Sequence, residues 1–166
     1  MSNDEDGRRS NANLLERARS GDAAAVVEFA TQWWAPVSRI SWNMLGNVSE
    51  AAAVTEEVLL TSLRAPKPVR GRLEISLYRL AIRLSIARRR SGHRAHGSPT
   101  QLHRALDELN DLDRAALALC DGEGLAAEEA GRVLEASPEE TRARVHLARA
   151  LLTGLLEADP ARLATG

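Results

Sequence analysis

An all-helical fold is predicted by three features of this 166-residue sequence. Its commonest residues are alanine, leucine, arginine and glutamate, which all favour helices. Aromatic residues make up only 3% of the chain, and no alternating run of β-branched residues indicates a strand. Apolar residues instead recur at helical spacing on both sides of a short polar stretch. We therefore expect an all-α protein of two small helical bundles, joined by a short linker, with a helix-turn-helix in the second.

Caps and breakers divide the first half of the chain into short helices. Residues 1–13 are polar and charged and are expected to form a disordered tail. Leu14 begins a short helix, and Asp22 is a suitable cap for the next one. Pro36 is expected to divide that next helix in two. Ser49 is expected to cap a further helix, which ends before two prolines.

The second half shows the pattern of a helix-turn-helix. Residues 109–119 place apolar side chains on one helical face, and Asn110 can cap its start. Two glycines precede a short helix over residues 125–134. Ser137, followed by proline and two acids, is a strong start for a last helix that carries basic side chains. This arrangement is typical of motifs that enter the DNA major groove, although periodicity alone fits a plain three-helix bundle equally well.

Domain boundaries are predicted from the change in composition near the middle of the chain. Residues 92–100 are rich in glycine, serine, histidine and proline, so a linker is expected over residues 91–99. It separates a first helical domain, residues 14–90, from a second, residues 100–157. Residues 158–166 are expected to form a disordered tail.

Charge is strongly segregated, although the net charge is only −1. Residues 64–104 hold 11 basic side chains and one acid, whereas residues 105–166 hold 6 basic and 13 acidic side chains. A block so nearly free of acids indicates a surface for a polyanion. The helix-turn-helix half would, by the same count, approach DNA against its own net charge.

A helix over residues 72–90 carries its own signal for nucleic acid. At about 100° per residue, four of its arginines fall on one side, opposite a set of apolar residues. Such a stripe is an electrostatic footprint for phosphate, and the alternative is a solvated helix face. The residues of this region expected to contact DNA are Arg72, Arg79, Arg83, Arg88, Arg89 and Arg90.

Other classes of function find little support. Cys120 is the one cysteine, which suits a reducing cytoplasm and a small core residue. The histidines His93, His96 and His103 fit a solvated linker better than a metal site. No apolar run reaches the roughly 18–20 residues of a membrane span, and no signal peptide is recognised. No catalytic motif stands out, so we expect no enzymatic activity, no cofactor and no metal.

The second half resembles the promoter-binding domain of extracytoplasmic-function sigma factors. The resemblance rests on Glu123-Gly-Leu125, on Ala136-Ser-Pro138 and on the run from Arg142 to Leu152, all at the family's spacing. It implies that the last helix reads DNA. Its residues expected to contact DNA are Arg142, Arg144, His146 and Arg149.

Some positions of this half depart from the family. Glu135 stands where the family usually has glycine, and Leu147 stands where it usually has arginine. Glu139, Glu140 and Thr141 replace a small residue, threonine and valine. An acid pair at the end of the helix that faces DNA phosphates works against binding.

The first half resembles the conserved N-terminal domain of the same family. Residues 18–23 are similar to its opening, residues 46–60 to the segment that grips the polymerase clamp, and residues 77–81 to the start of the promoter-opening helix. The resemblance implies polymerase contacts from Glu50, Glu56, Glu57 and Leu60. The positions that depart from the family are Ala53, Leu59, Ser76, Arg83 and Ala87.

Two functions follow from the resemblance. The first is a divergent sigma-factor-like transcription regulator in the cytoplasm, whose partners are core RNA polymerase, promoter DNA and an anti-sigma factor. The alternative is a sigma mimic, in which the fold binds a protein partner such as an anti-sigma factor without opening a promoter. The overall match favours the first function, and the departures favour the second.

Overall fold

A computed structural model defines residues 2–65, 72–92 and 100–157 of the protein, and no strand occurs in these ranges. The predicted all-α class is thereby confirmed, and the predicted helix-turn-helix is formed by the last two helices. A π-helical turn over residues 118–122 extends the sixth helix. The α-helices are α1 (Ser2–Arg19), α2 (Ala23–Leu45), α3 (Val48–Arg64), α4 (Leu73–Arg90), α5 (Gln101–Asp107), α6 (Asp111–Leu117), α7 (Ala127–Leu134) and α8 (Pro138–Glu157).

Parts of three predictions lie outside the described residues. These are residues 93–99 of the linker, with His93 and His96, and the C-terminal tail over residues 158–166.

Polar side chains cap several helices as the sequence predicts. Asp22, Asn110 and Ser137 each accept a hydrogen bond from the backbone N–H three residues on, at 3.1, 2.9 and 3.1 Å. The prediction that Ser49 caps α3 is wrong, because Asn47 accepts the capping bond at 2.9 Å. Asn47 directly follows the left-handed residue that ends α2, so the chain re-enters a helix two residues earlier than expected.

Two helices are longer than the sequence predicts. α1 begins at Ser2, so the residues expected to form a disordered tail are helical. No proline interrupts them, and a helix held by the buried Leu14 and Leu15 extends by one hydrogen bond per added residue. α2 runs through Pro36 instead of ending there. Its residues on both sides of the proline are buried in the same core, which offsets the hydrogen bond that proline removes.

One apolar core joins the two halves of the chain. Ala118, Leu119, Ala130 and Val133 come from the second half, yet they belong to the same buried cluster as residues of α1 to α4. The turn after α6 packs on α2, and α7 packs on α4. The division into two domains near residues 91–99 stays a prediction, and one buried cluster draws on residues from both sides of it. Periodicity identifies an apolar helix face without identifying the surface that covers it.

The connection between α7 and α8 is tight. A Cβ atom on Gly131 would lie only 2.7 Å from the carbonyl oxygen of Ala136, so this position needs glycine. Glu135 ends α7 in the left-handed conformation, with φ of 58°. A side chain in that conformation costs about 1–2 kcal/mol relative to glycine. This is the position where the resemblance leads us to expect glycine.

Candidate nucleic-acid interface

The arginine stripe of α4 faces α7 along part of its length. Arg72 forms ion pairs with Glu74, at 3.1 Å, and with Glu129 of α7. Arg79 donates to two backbone carbonyl oxygens at the end of α7, and its Nη1 lies 3.5 Å from the carboxylate of Glu135. The carbonyl end of a helix carries partial negative charge and therefore favours a cation there.

The end of α4 contacts the start of the second half. Arg89 donates to Asp107 at 2.8 Å, to Asp111 at 3.0 Å and to the carbonyl oxygen of Met44 at 3.3 Å. Arg90 reaches Asp111 at 3.2 Å, although its own side chain is 74% exposed. Two arginines predicted to contact DNA are thus bound to carboxylates of the same chain.

A buried arginine completes this cluster. Arg114 of α6 is only 1% exposed, and it donates to the carbonyl oxygen of Asn43 at 2.8 Å and to Asp107 at 2.5 Å. Burial and the neighbouring charge of Arg89 lower the pKa of its guanidinium to about 10, so it is still charged at neutral pH. Together with Arg89 it binds the carbonyl end of α2 and ties α4, α6 and α2 together.

The predicted DNA and polymerase contacts meet at Arg88. Its guanidinium donates to Glu50 at 2.7 Å and to Glu57 at 3.2 Å, and these bonds raise its pKa above the ordinary value. Glu56 and Leu60 of α3 are exposed and lie on the surface predicted to grip polymerase. Two of the four predicted polymerase contacts are therefore paired with a predicted DNA contact.

Arg83 differs from the other arginines of the stripe. Its side chain is exposed, and it has no ion pair with any of the described residues. Arg83 could therefore bind a phosphate without first losing an ion pair to the described residues.

The arginines predicted to act in α8 are paired with acids of the second half. Most of these pairs are exposed and are therefore individually weak. His146 is exposed on the same helix. The pairs are Arg142 with Glu128 and Glu139, Arg144 with Asp113 and Glu140, and Arg149 with Asp121.

The exposed surface of α8 also carries a row of leucines. Leu147, Leu151 and Leu155 are 56%, 52% and 38% exposed and lie four residues apart, on one side of the helix. This side includes the position where the family usually has arginine. An apolar row suits a protein surface better than the phosphate backbone of DNA.

Sequence reasoning missed the acids that cover α4. Asp107, Asp111 and Glu129 were not singled out, nor was the ion pair at 2.7 Å between Arg39 and Glu123, which also joins the two halves. The signal was present in the charge count, since a strongly basic block is followed by an acidic one. We took that count to indicate an external polyanion, whereas much of the complementary charge lies in the chain itself.

Residues 100–152, which include the helix-turn-helix, match the family described as "Sigma-70, region 4". The ECF RNA polymerase sigma factor SigE of Mycolicibacterium smegmatis is 29% identical to the chain, over 82% of this chain and 65% of that protein. Both matches make the chain similar to sigma factors of the extracytoplasmic-function family.

Two solved structures share the fold of this chain. CnrH in complex with the cytosolic domain of CnrY has a TM-score of 0.73 and 22% identity, over 90% of this chain and 98% of that one. RpoE in complex with the anti-sigma factor NepR, from Bartonella quintana, has a TM-score of 0.66 and 16% identity, over 80% and 96%. At these identities the likeness concerns the fold. The chain spans about two thirds of the length of the curated relative that it matches.

None of the described helices is both long and apolar enough to cross a bilayer. Within the same residues, no cluster of histidine, cysteine and acidic side chains could hold a metal ion.

Proposed function

We propose that this chain is a sigma-factor-like transcription regulator that binds core RNA polymerase and promoter DNA, and that it is regulated by exposure of α4. The observation that carries the proposal is the pairing of α4 arginines with the second half of a sigma-family fold. Arg72, Arg79, Arg89 and Arg90 all bind groups in residues 107–135. We call this the closed arrangement.

The closed arrangement competes directly with DNA. Phosphates would have to replace the carboxylates and carbonyl groups that now bind the stripe, and exposed ion pairs of this kind contribute little each. Separation of the halves would also expose the buried Leu119 and Val133, which costs free energy through the hydrophobic effect. DNA binding through the full stripe therefore requires a partner or condition that stabilises the open chain.

Two macromolecules are expected to act on this equilibrium. Core polymerase would bind the exposed side of α3, where Glu56 and Leu60 lie, and would favour the open chain. An anti-sigma factor would favour the closed one. One solved structure of similar fold supports the existence of such a partner, since RpoE is in complex there with the anti-sigma factor NepR.

Charge reversal in the acids that cover α4 tests the proposal. In the double variant Asp111→Lys and Glu129→Lys, the stripe loses two carboxylates, and we expect tighter binding to duplex DNA and to core polymerase. Glu108→Lys with Glu157→Lys is the matched control, because it makes the same change in net charge at two exposed acids that form no ion pair with the described residues. Binding would be measured by fluorescence anisotropy, and initiation by run-off transcription.

Each outcome of this experiment separates the proposal from its alternative. Tighter binding by the double variant than by the control, with transcription in the presence of polymerase, supports a regulated sigma factor. Equal binding by both variants means that the closed arrangement does not limit access to α4. Polymerase binding without any transcription would favour the mimic.

A second candidate function, the sigma mimic, is favoured by the surface of α8. The leucine row and the acids Glu139 and Glu140 occupy the side that would approach DNA. In the full chain, Leu147→Arg with Glu140→Thr should therefore strengthen DNA binding if this helix faces DNA at all. Leu155→Arg with Glu157→Thr is the control, since it makes the same change in net charge at the far end of the helix. No gain from the first variant would indicate that α8 binds a protein.

A further inference from the structure

A cavity lies where the end of α2 meets α5, α6 and α8. Its volume is about 490 Å³, within the range of pockets that hold small ligands. Its wall is mainly apolar, and it draws residues from both halves of the chain. The apolar side chains that line it are Leu102, Leu106, Leu117, Leu152 and Leu156.

The cavity wall contains a cation with an unused donor. Arg114 lines the cavity, and its Nη2 atom is buried without a hydrogen-bond partner among the described residues, although its other two nitrogens are paired. A buried donor of this kind costs about 1–3 kcal/mol, and more when the group is charged. An anionic oxygen placed at Nη2 would remove that cost.

The other charged groups in the wall do not compete for this role. Arg149 and Asp121 also line the cavity, but they pair with each other at 2.5 Å. Arg114 differs from Arg149 in being buried, so a ligand oxygen rather than solvent would have to satisfy its remaining donor. The five leucines of the wall offer no polar groups to replace the water around a strongly hydrated anion such as free phosphate.

We propose that this cavity binds a small amphiphilic carboxylate, with its carboxylate on Arg114 and its hydrocarbon chain against the leucines. The planar guanidinium matches a carboxylate, and an apolar chain is stabilised by burial in a wall of leucines. The inference rests on the cavity and not on the proposed function. One consequence touches regulation: a ligand in contact with both Asn43 of α2 and the second half stabilises the closed arrangement by mass action.

Binding of decanoate to the full chain tests this site. Decanoate would be titrated below its micelle concentration in a calorimeter, with decan-1-ol and decylamine as probes of the same chain length. We expect saturable binding of decanoate, and binding at least about tenfold weaker for the two probes that lack a carboxylate. No binding of decanoate, or equal binding of all three, overturns the proposal.

Two variants locate the site. Arg114→Met removes the cation and should weaken decanoate binding about tenfold or more while leaving decan-1-ol binding unchanged. Because this residue is buried, its fold would be checked by circular dichroism. Leu102→Asp changes a lining residue that is already 48% exposed, so it tests the site without relying on the core. Leu147→Asp, at a leucine that does not line the cavity, is its control. Decanoate binding that survives Leu102→Asp unchanged places the ligand elsewhere and overturns the proposal.

Discussion

Arg88 of α4 and Glu50 of α3 form an ion pair in which Nη1 and Oε2 lie 2.7 Å apart. The sequence predicts that the first residue contacts DNA and that the second contacts polymerase. A polymerase group that takes the place of Arg88 on Glu50 would leave Glu57 as the remaining partner of Arg88, which is then more available to a phosphate. Binding of either macromolecule thus favours binding of the other, as linkage requires.

The first prediction tests this coupling. Glu50→Gln removes the nearer of the two carboxylates that bind Arg88, so we expect DNA affinity to rise by about two- to fivefold, the value of a partly exposed ion pair. Anisotropy with a labelled duplex measures it. Glu56→Gln is the control, because it removes the same charge from the same helix at an exposed position without an ion pair to the described residues. If both variants gain the same DNA affinity, the effect comes from the change in net charge and not from the release of Arg88.

The second prediction separates structural arginines from free ones. Arg89→Glu places a carboxylate against Asp107 and Asp111 in a partly buried cluster and should lower the free energy of unfolding by about 2 kcal/mol. Arg83→Glu should change it by less than about 0.5 kcal/mol, because this side chain is exposed and has no ion pair. Urea denaturation followed by circular dichroism measures both.

Arg83→Glu should still affect DNA binding. If Arg83 contacts one phosphate, its loss lowers the slope of log affinity against log salt by about 0.7–0.9. An unchanged slope would mean that Arg83 is only a solvated residue, and that α4 has no phosphate contact at this position.

The third prediction concerns the left-handed residue between α7 and α8. Glu135→Gly removes the strain at φ of 58° and should raise the free energy of unfolding by about 0.5–1 kcal/mol. Glu135→Ala is the matched control. It also removes the contact with Arg79 but keeps a Cβ atom, so it should give no gain. Stabilisation by alanine as large as that by glycine would show that the strain is not the cause.

The fourth prediction is a dependence of stability on pH. Burial, and then the charge of Arg114, lower the pKa of His103 below its ordinary value of 6.5. Below that pH the unfolded chain binds a proton that the folded chain excludes, so stability should fall as pH falls from 7 to 5. Asp107 also has a lowered pKa, because bonds from Arg89 and Arg114 outweigh its burial, but its contribution is lost only below its ordinary value of 3.8.

Histidine variants assign this pH dependence. His103→Gln should flatten the loss of stability between pH 7 and 5, measured as the free energy of unfolding in urea at each pH. His146→Gln is the control, since that side chain is exposed. A loss of stability that persists in His103→Gln would have to come from another group.

Local signals in the sequence predicted the elements well. Asp22, Asn110 and Ser137 cap their helices as predicted, because a short polar side chain directly before an apolar helical pattern is usually an N-cap. Pro36 misled the prediction, because its local cost is offset by burial on both sides of it, which is a property of the whole fold.

The same local signals could not predict which distant helices pack against each other. The sequence predicts an apolar face on α7, but it does not predict that this face packs on α4. Arg114 looked like one more helix residue, and only the meeting of α2, α4 and α6 makes it a buried charge. The positions of the predicted contacts were therefore available from motifs, whereas their partners within the chain were not.

The shared core also constrains how the protein is made. A ribosome adds about 5–20 residues per second, so α1 to α4 emerge seconds before Leu119 and Val133 are available to cover them. During that interval, apolar residues of α2 and α4 that the finished protein buries are open to chaperones and to other nascent chains. Messages truncated within residues 93–99 would yield this incomplete core permanently. Proteolytic clearance of such fragments is the outcome we expect in the cell.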